Sequence, residues 1–109
     1  MELLTNYGYL ISDIKGLIIS KMKDPLKLLK ISEEMDNLVC LNTLELDLKN
    51  DSKYYNIITN NKLQKFINLT SLDLYDNKKI TDNGIKNLKN LTFLNLQYNK
   101  LITNNGISN

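Results

Sequence analysis

Apolar residues alternate with polar ones in three short stretches, Leu41-Asn-Thr-Leu44-Glu-Leu46, Leu69-Thr-Ser-Leu72-Asp-Leu74 and Leu91-Thr-Phe-Leu94-Asn-Leu96. A period of two predicts strands whose leucines point to one side. The N-terminal third follows a different rhythm. Leu10, Ile14, Leu17, Ile18 and Met22, then Leu26, Leu29 and Leu38, recur at helical spacing. That pattern predicts an amphipathic helix, a break and a second helix. Asp24-Pro25 reads as the start of the second helix, because a proline at the first helical position loses no needed hydrogen bond. Ser12-Asp13 could start the first likewise. Gly16 inside it costs about 1 kcal/mol relative to alanine.

The second and third stretches are copies. Leu69 returns as Leu91, 22 residues later, and the match runs on past the strand, where Ile80-Thr-Asp-Asn-Gly-Ile85 returns as Ile102-Thr-Asn-Asn-Gly-Ile107. The first copy keeps the leucine spacing but lies 28 residues before Leu69. Asn77 and Asn99 stand where each strand ends. A buried amide there can donate and accept together, joining adjacent turns as a structural ladder. Asp82 reads as the cap of a helix over residues 82–89 that turns Ile85 and Leu88 inward. In the longer first repeat, Tyr54-Tyr55-Asn56-Ile57-Ile58 and Leu63-Gln-Lys-Phe66-Ile67 flank a breaker-like Asn60-Asn61, giving two short helices or one kinked helix.

These segments resemble the leucine-rich-repeat family, L-x-x-L-x-L-x-x-N, over residues 41–109. The resemblance implies an α/β fold: a short solenoid of about three repeats, with parallel strands and convex helices. Its repeats would span 41–68, 69–90 and 91–109, after a helical segment at 1–40. Such a stack presents a surface to another protein.

The run from Leu10 to Ser32 also looks like an F-box, the helical module of cullin-type ubiquitin ligase adaptors. Leu10, Asp13-Ile14, Ile18-Ile19-Ser20, Met22 and the Asp24-Pro25 break followed by Leu26, Leu29 and Ser32 carry the likeness. Ile11 departs from it where the family usually has proline, and no basic-aromatic end follows Ser32. The resemblance implies that Leu10, Ile14, Ile18, Ile19, Leu26 and Leu29 dock on a Skp-type linker protein. The alternative is that these helices only cover the apolar edge of the first repeat.

Positions between the inward leucines face out, on the concave side. Aligning the copies puts Glu45 beside Asp73 and Asn95, Asp47 beside Tyr75 and Gln97, Asp76 beside Tyr98, and Phe93 in line with Thr43 and Ser71. Neighbouring carboxylates repel unless a cation intervenes, and exposed aromatics add contact area at low entropy cost. Glu45, Asp47, Asp73, Tyr75, Phe93 and Tyr98 are therefore the expected target-binding set. Lys62, Lys65, Lys78, Lys79, Lys86, Lys89 and Lys100 fall on loops or the convex side, so a basic or mixed-charge protein is the expected target.

Composition narrows the chemistry. The 109 residues include no histidine and one cysteine, Cys40. The commonest general base and metal ligand is thus absent, and no disulfide can form within the chain. An open strand face offers no cleft to split the pKa values of paired carboxylates, so neither an enzyme nor a cofactor or metal site is expected. A net charge of +2, with lysines not interleaved with aromatics, argues against nucleic acid. No apolar run approaches the roughly 20 residues that span a bilayer. With Asp13 and Lys15 interrupting the only candidate signal region, the expected location is intracellular. Asn68-Leu-Thr70 and Asn90-Leu-Thr92 match glycosylation sequons by coincidence of the repeat motif. The third repeat lacks a polar capping element, which suggests self-association through an open edge.

Overall fold

A computed structural model describes residues 15–107, and the chain divides into two compact units, Met1–Thr43 and Leu44–Asn109. In the first unit residues 15–21 are helical (α1), Pro25–Leu28 make one 3-10 turn, and Glu33–Asn42 form a longer helix (α2). The second helix does not begin at Asp24-Pro25. Leu29 is extended and Lys30 takes a left-handed φ of 71°, which stops the chain after one turn. α2 starts after Ser32 instead, whose hydroxyl oxygen accepts the Met35 N–H at 3.0 Å. Glu33, Glu34 and Asp36 fill its first turn, where the helix dipole favours negative charge. It ends at Thr43, whose hydroxyl donates back to the Val39 carbonyl.

Ile19, Leu26, Val39 and Cys40 are buried in this unit, while Leu17, Ile18 and Ile31 are exposed. Gly16 has a packing reason: a Cβ there would stand 2.8 Å from the Asn42 side-chain oxygen.

The second unit is a parallel sheet in the order β1-β2-β3, formed by Glu45–Asp47, Ser71–Asp73 and Phe93–Asn95. After each strand the chain returns through a one-turn helix: α3 at Asn60–Leu63, α4 at Asp82–Ile85 and α5 at Asn104–Ile107. Leu46, Leu72 and Leu94 are directly opposed. Leu48, Ile58, Leu63, Phe66, Leu69, Leu72, Leu74 and Ile80 are fully buried, each contributing about 1.5–3 kcal/mol by leaving water.

The register corrects the sequence alignment of the first repeat. Glu45 pairs with Ser71, an offset of 26, not 28. The inward triplet is therefore Thr43, Leu46 and Leu48, with Leu41 and Leu44 exposed. A slip of two residues keeps every side chain on its own face, so alternation cannot detect it; only an odd slip would. α2 decides the matter, because it runs to Asn42 and leaves residue 41 helical.

Other elements also differ from the pattern reading. The convex helix expected over 82–89 stops at Ile85, although Ile85 and Leu88 are both buried; a glycine within a single turn gives helix propagation little to work with. Asn60-Asn61 does not break a helix but begins α3, and residues 54–57 are a turn. Asp82 does not cap α4. Thr81 holds the cap position without a side-chain hydrogen bond, and the Asp82 carboxylate reaches into the next repeat.

There it accepts the Thr103 N–H at 2.8 Å and the Thr103 hydroxyl proton. These bonds, the hydroxyl first and the backbone second, hold its carboxyl below the ordinary carboxylate range. A depressed pKa contributes stability that is present above the unfolded value, about 3.9, and lost as pH falls through the folded value. In the preceding repeat Asn60 holds Thr81 in the same way without titrating. Acid should therefore loosen Thr103 before Thr81, and Asp82→Asn should abolish that difference. Amide exchange at the two threonines between about pH 5 and pH 2 checks this.

Candidate functional site

Three transverse rows of side chains run across the open strand face. Register places Glu45, Ser71 and Phe93 in one row, Asp47, Asp73 and Asn95 in the next, and Lys49, Tyr75 and Gln97 beyond them. The middle row is used by the fold. Asp47 accepts the N–H of Lys49 at 3.2 Å, Asp73 that of Tyr75 at 3.0 Å and Asn95 that of Gln97 at 3.0 Å. Each is an Asx turn that steers the chain out of its strand. The signal for this was present as an Asx at the same place in every copy, between the two inward leucines.

Asp47 and Asp73 are also bridged within the chain, by the Lys49 ammonium at 3.1 and 3.7 Å. The ammonium is held above its ordinary value, first by its hydrogen bond to Asp47 and then by the charges of both carboxylates. Lys78 similarly pairs with Asp76 at 2.8 Å. The repulsion expected between neighbouring carboxylates is thus relieved internally, and acidic and basic surfaces are not separated as expected. Nor are the lysines apart from aromatics: Lys53 lies over the Tyr54 ring and Lys79 over Tyr55.

What remains for a partner is aromatic. Tyr75 and Tyr98 meet edge to face, with centroids 5.3 Å apart and planes at 84°. Phe93 is 55% exposed and Tyr98 71%. Tyr98 stands past the strand, with a left-handed φ of 58°, where the second repeat has Asp76 at 51°. Aspartate visits that region readily, whereas a tyrosine there costs about 1 kcal/mol or more. Glu45 is exposed at the end of the face, and Asp73 is half-buried.

Asn77 and Asn99 lie behind this face, between turns. The Asn77 amide donates to the Leu48 carbonyl of the preceding repeat at 2.6 Å and accepts the N–H groups of Lys79 and Ile80, both at 2.8 Å. Asn99 repeats the arrangement, donating to the Asn77 carbonyl and accepting from Leu101 and Ile102. In the first repeat this place falls to Asp51.

Of the six residues expected to meet a linker protein, Leu10 and Ile14 lie outside the described residues. Ile18 is exposed and Leu29 half-buried. Ile19 and Leu26 are 2% and 5% exposed, so they build the core of their unit and have no surface to offer a partner. Exposed Leu17 and Ile31, which were not in the expected set, have more.

Among the described residues no cluster of His, Cys, Asp and Glu could hold a metal ion, and no helix is long and apolar enough to cross a membrane. The chain matches the Leucine Rich repeat family over residues 67–89 and again over residues 87–109. No curated protein and no solved structure matches it. The matched segments coincide with β2 through α4 and with β3 through α5, the parts with the full leucine triplet and the ladder asparagine. Residues 67–109 of this chain are therefore leucine-rich repeats.

Proposed function

We propose that the chain is a non-enzymatic adaptor. Its repeats hold a target protein on the aromatic edge of the strand face, and its N-terminal helices dock on a Skp-type linker of a cullin-type ubiquitin ligase. The observation that carries the first half is the Phe93, Tyr75 and Tyr98 group, exposed large side chains of the type that dominates protein interfaces. With Asp47 and Asp73 already neutralised, the target is met chiefly by these rings and Glu45, and a strongly basic target is not required. The F-box-like run supports the second half, together with Leu17, Ile18 and Ile31, which form exposed apolar surface in a unit separate from the repeats.

A second reading makes the helices only a cover for the stack. It is favoured by the two residues, Thr43 and Leu44, that separate α2 from β1, since so short a connection leaves the helices little independence.

Ile18→Asp separates the readings. For an adaptor, the substitution abolishes retention of the purified chain by a Skp-type linker protein while far-UV circular dichroism and the thermal midpoint stay unchanged. If the helices only cover the stack, the unsubstituted chain is not retained at all.

A further inference from the structure

Away from the strands, each repeat begins its helix with a threonine and an Asx: Thr59-Asn60, Thr81-Asp82 and Thr103-Asn104. The Asx reaches forward. Asn60 accepts the Thr81 N–H at 3.0 Å and donates to the Thr81 hydroxyl at 2.9 Å, and Asp82 clasps Thr103 through the same two groups.

Each clasp also needs an empty place in the repeat that follows. A Cβ on Gly84 would stand 2.5 Å from the Asn60 side-chain oxygen, and one on Gly106 would overlap the Asp82 carboxylate and lie 3.1 Å from its Cα. One repeat thus takes three things from the next: a threonine N–H, its hydroxyl, and a glycine three residues later. In the first repeat the glycine place is filled by Lys62, so the arrangement works in one direction only.

At the outer edge of the third repeat the forward half recurs with nothing on it. Asn104 is exposed, and Leu91, Leu94 and Leu96 are half-buried where Leu69, Leu72 and Leu74 are fully buried. In the inner repeats the amides of Leu48 and Leu74 donate to the next strand, and so do those of Asn50 and Asp76; Leu96 and Tyr98 hold the same places at the edge. A cleft of about 230 Å³ opens there, lined by Leu88, Leu91, Phe93, Leu94 and Ile107 among others.

We propose that this edge is a docking site for one further leucine-rich repeat of a partner polypeptide, added in parallel register. The partner repeat must carry an inward leucine triplet, a threonine for Asn104 to clasp, and a glycine three residues after it. A second copy of this chain does not meet that requirement, because its first repeat brings the Lys62 Cβ to the place glycine leaves open. Head-to-tail self-association, the expectation from the open edge alone, is thereby replaced by capture of a glycine-bearing repeat. This inference is independent of the adaptor reading, and its test involves no ligase component.

The test attaches the probe directly, which removes the cost of bringing two molecules together. The full chain is extended at its C-terminus by a second copy of residues 88–109, either unchanged or with lysine replacing the copy's counterpart of Gly106. Amide exchange is read at Leu96 and Tyr98. The unchanged extension should slow both amides at least about tenfold, a difference of about 1.4 kcal/mol in opening. The lysine extension should not, and Asn104→Ala should weaken the protection given by the unchanged one. Equal exchange in the two extended chains would overturn the proposal. So would protection of the same amides in the unextended chain that rises with its concentration, because the edge would then be covered by a second copy.

Discussion

Phe66→Ala should be among the most damaging single substitutions in this chain. The ring is fully buried at the point where α3 turns back toward β2, and its backbone accepts the Leu69 N–H that sets up the second repeat. Removing a buried phenylalanine leaves a cavity as well as losing transfer energy, at about 3–5 kcal/mol. Against a total stability of about 5–15 kcal/mol for a domain of this size, that is a large fraction. Urea titration should show a midpoint reduced by a third or more with an unchanged slope. The neighbouring Ile67→Ala is the control. Ile67 is exposed, and its substitution should stay within about 0.5 kcal/mol.

Asn77→Ala should cost about 3 kcal/mol, although it deletes only a small polar group. The amide is 1% exposed and satisfies three backbone groups, the carbonyl of Leu48 and the N–H groups of Lys79 and Ile80. Alanine leaves these buried without partners, and each orphan costs about 1–3 kcal/mol where water cannot reach it. Asn99→Ala should cost distinctly less. The same bonds are made there, but the side chain is half-buried and solvent can replace them. Thermal midpoints of the two variants, measured side by side, give the comparison; equal losses would mean that the amide's burial does not set its contribution.

Both of these residues were legible in the sequence to different degrees. Asn77 announces itself because it recurs at 22 residues as Asn99 after an identical leucine triplet, and a polar residue kept at a strand exit has a physical job. Phe66 was visible only as one apolar position in a segment of mixed spacing, with nothing to distinguish it from Ile67. Periodicity reports which side of an element is apolar; it cannot tell which apolar residue a one-turn helix will bury. The two-residue slip of the first repeat was hidden for a related reason, since Leu44, Leu46 and Leu48 continue one alternating series and any even shift satisfies it.

The candidate surface was read less well than the fold. Asp47 and Asp73 were chosen because they face out and carry charge. Exposure and charge do not reveal that a carboxylate already holds its own chain two residues on, nor that Lys49 would lie between them. In the N-terminal unit the helical spacing identified Ile18, Ile19 and Leu26 together, but a stripe on a helix has a centre and margins. Ile19 and Leu26 occupy the centre and are consumed by packing, whereas Ile18 lies on a margin and stays exposed.

Strand order has a kinetic corollary. Each strand pairs only with the next in the chain, across loops of about the same length, so no contact in the sheet requires distant segments to meet before nearer ones have formed. Such a topology has a low loop-closure barrier and favours fast assembly that spreads from one repeat to its neighbour. The middle repeat, buried on both sides, is the natural starting point. The third repeat, with only one neighbour, should join last and open first, in a sub-global opening well below the free energy of complete unfolding. The aromatic edge that faces outward therefore rides on the part of the sheet with the greatest freedom to adjust to what it meets.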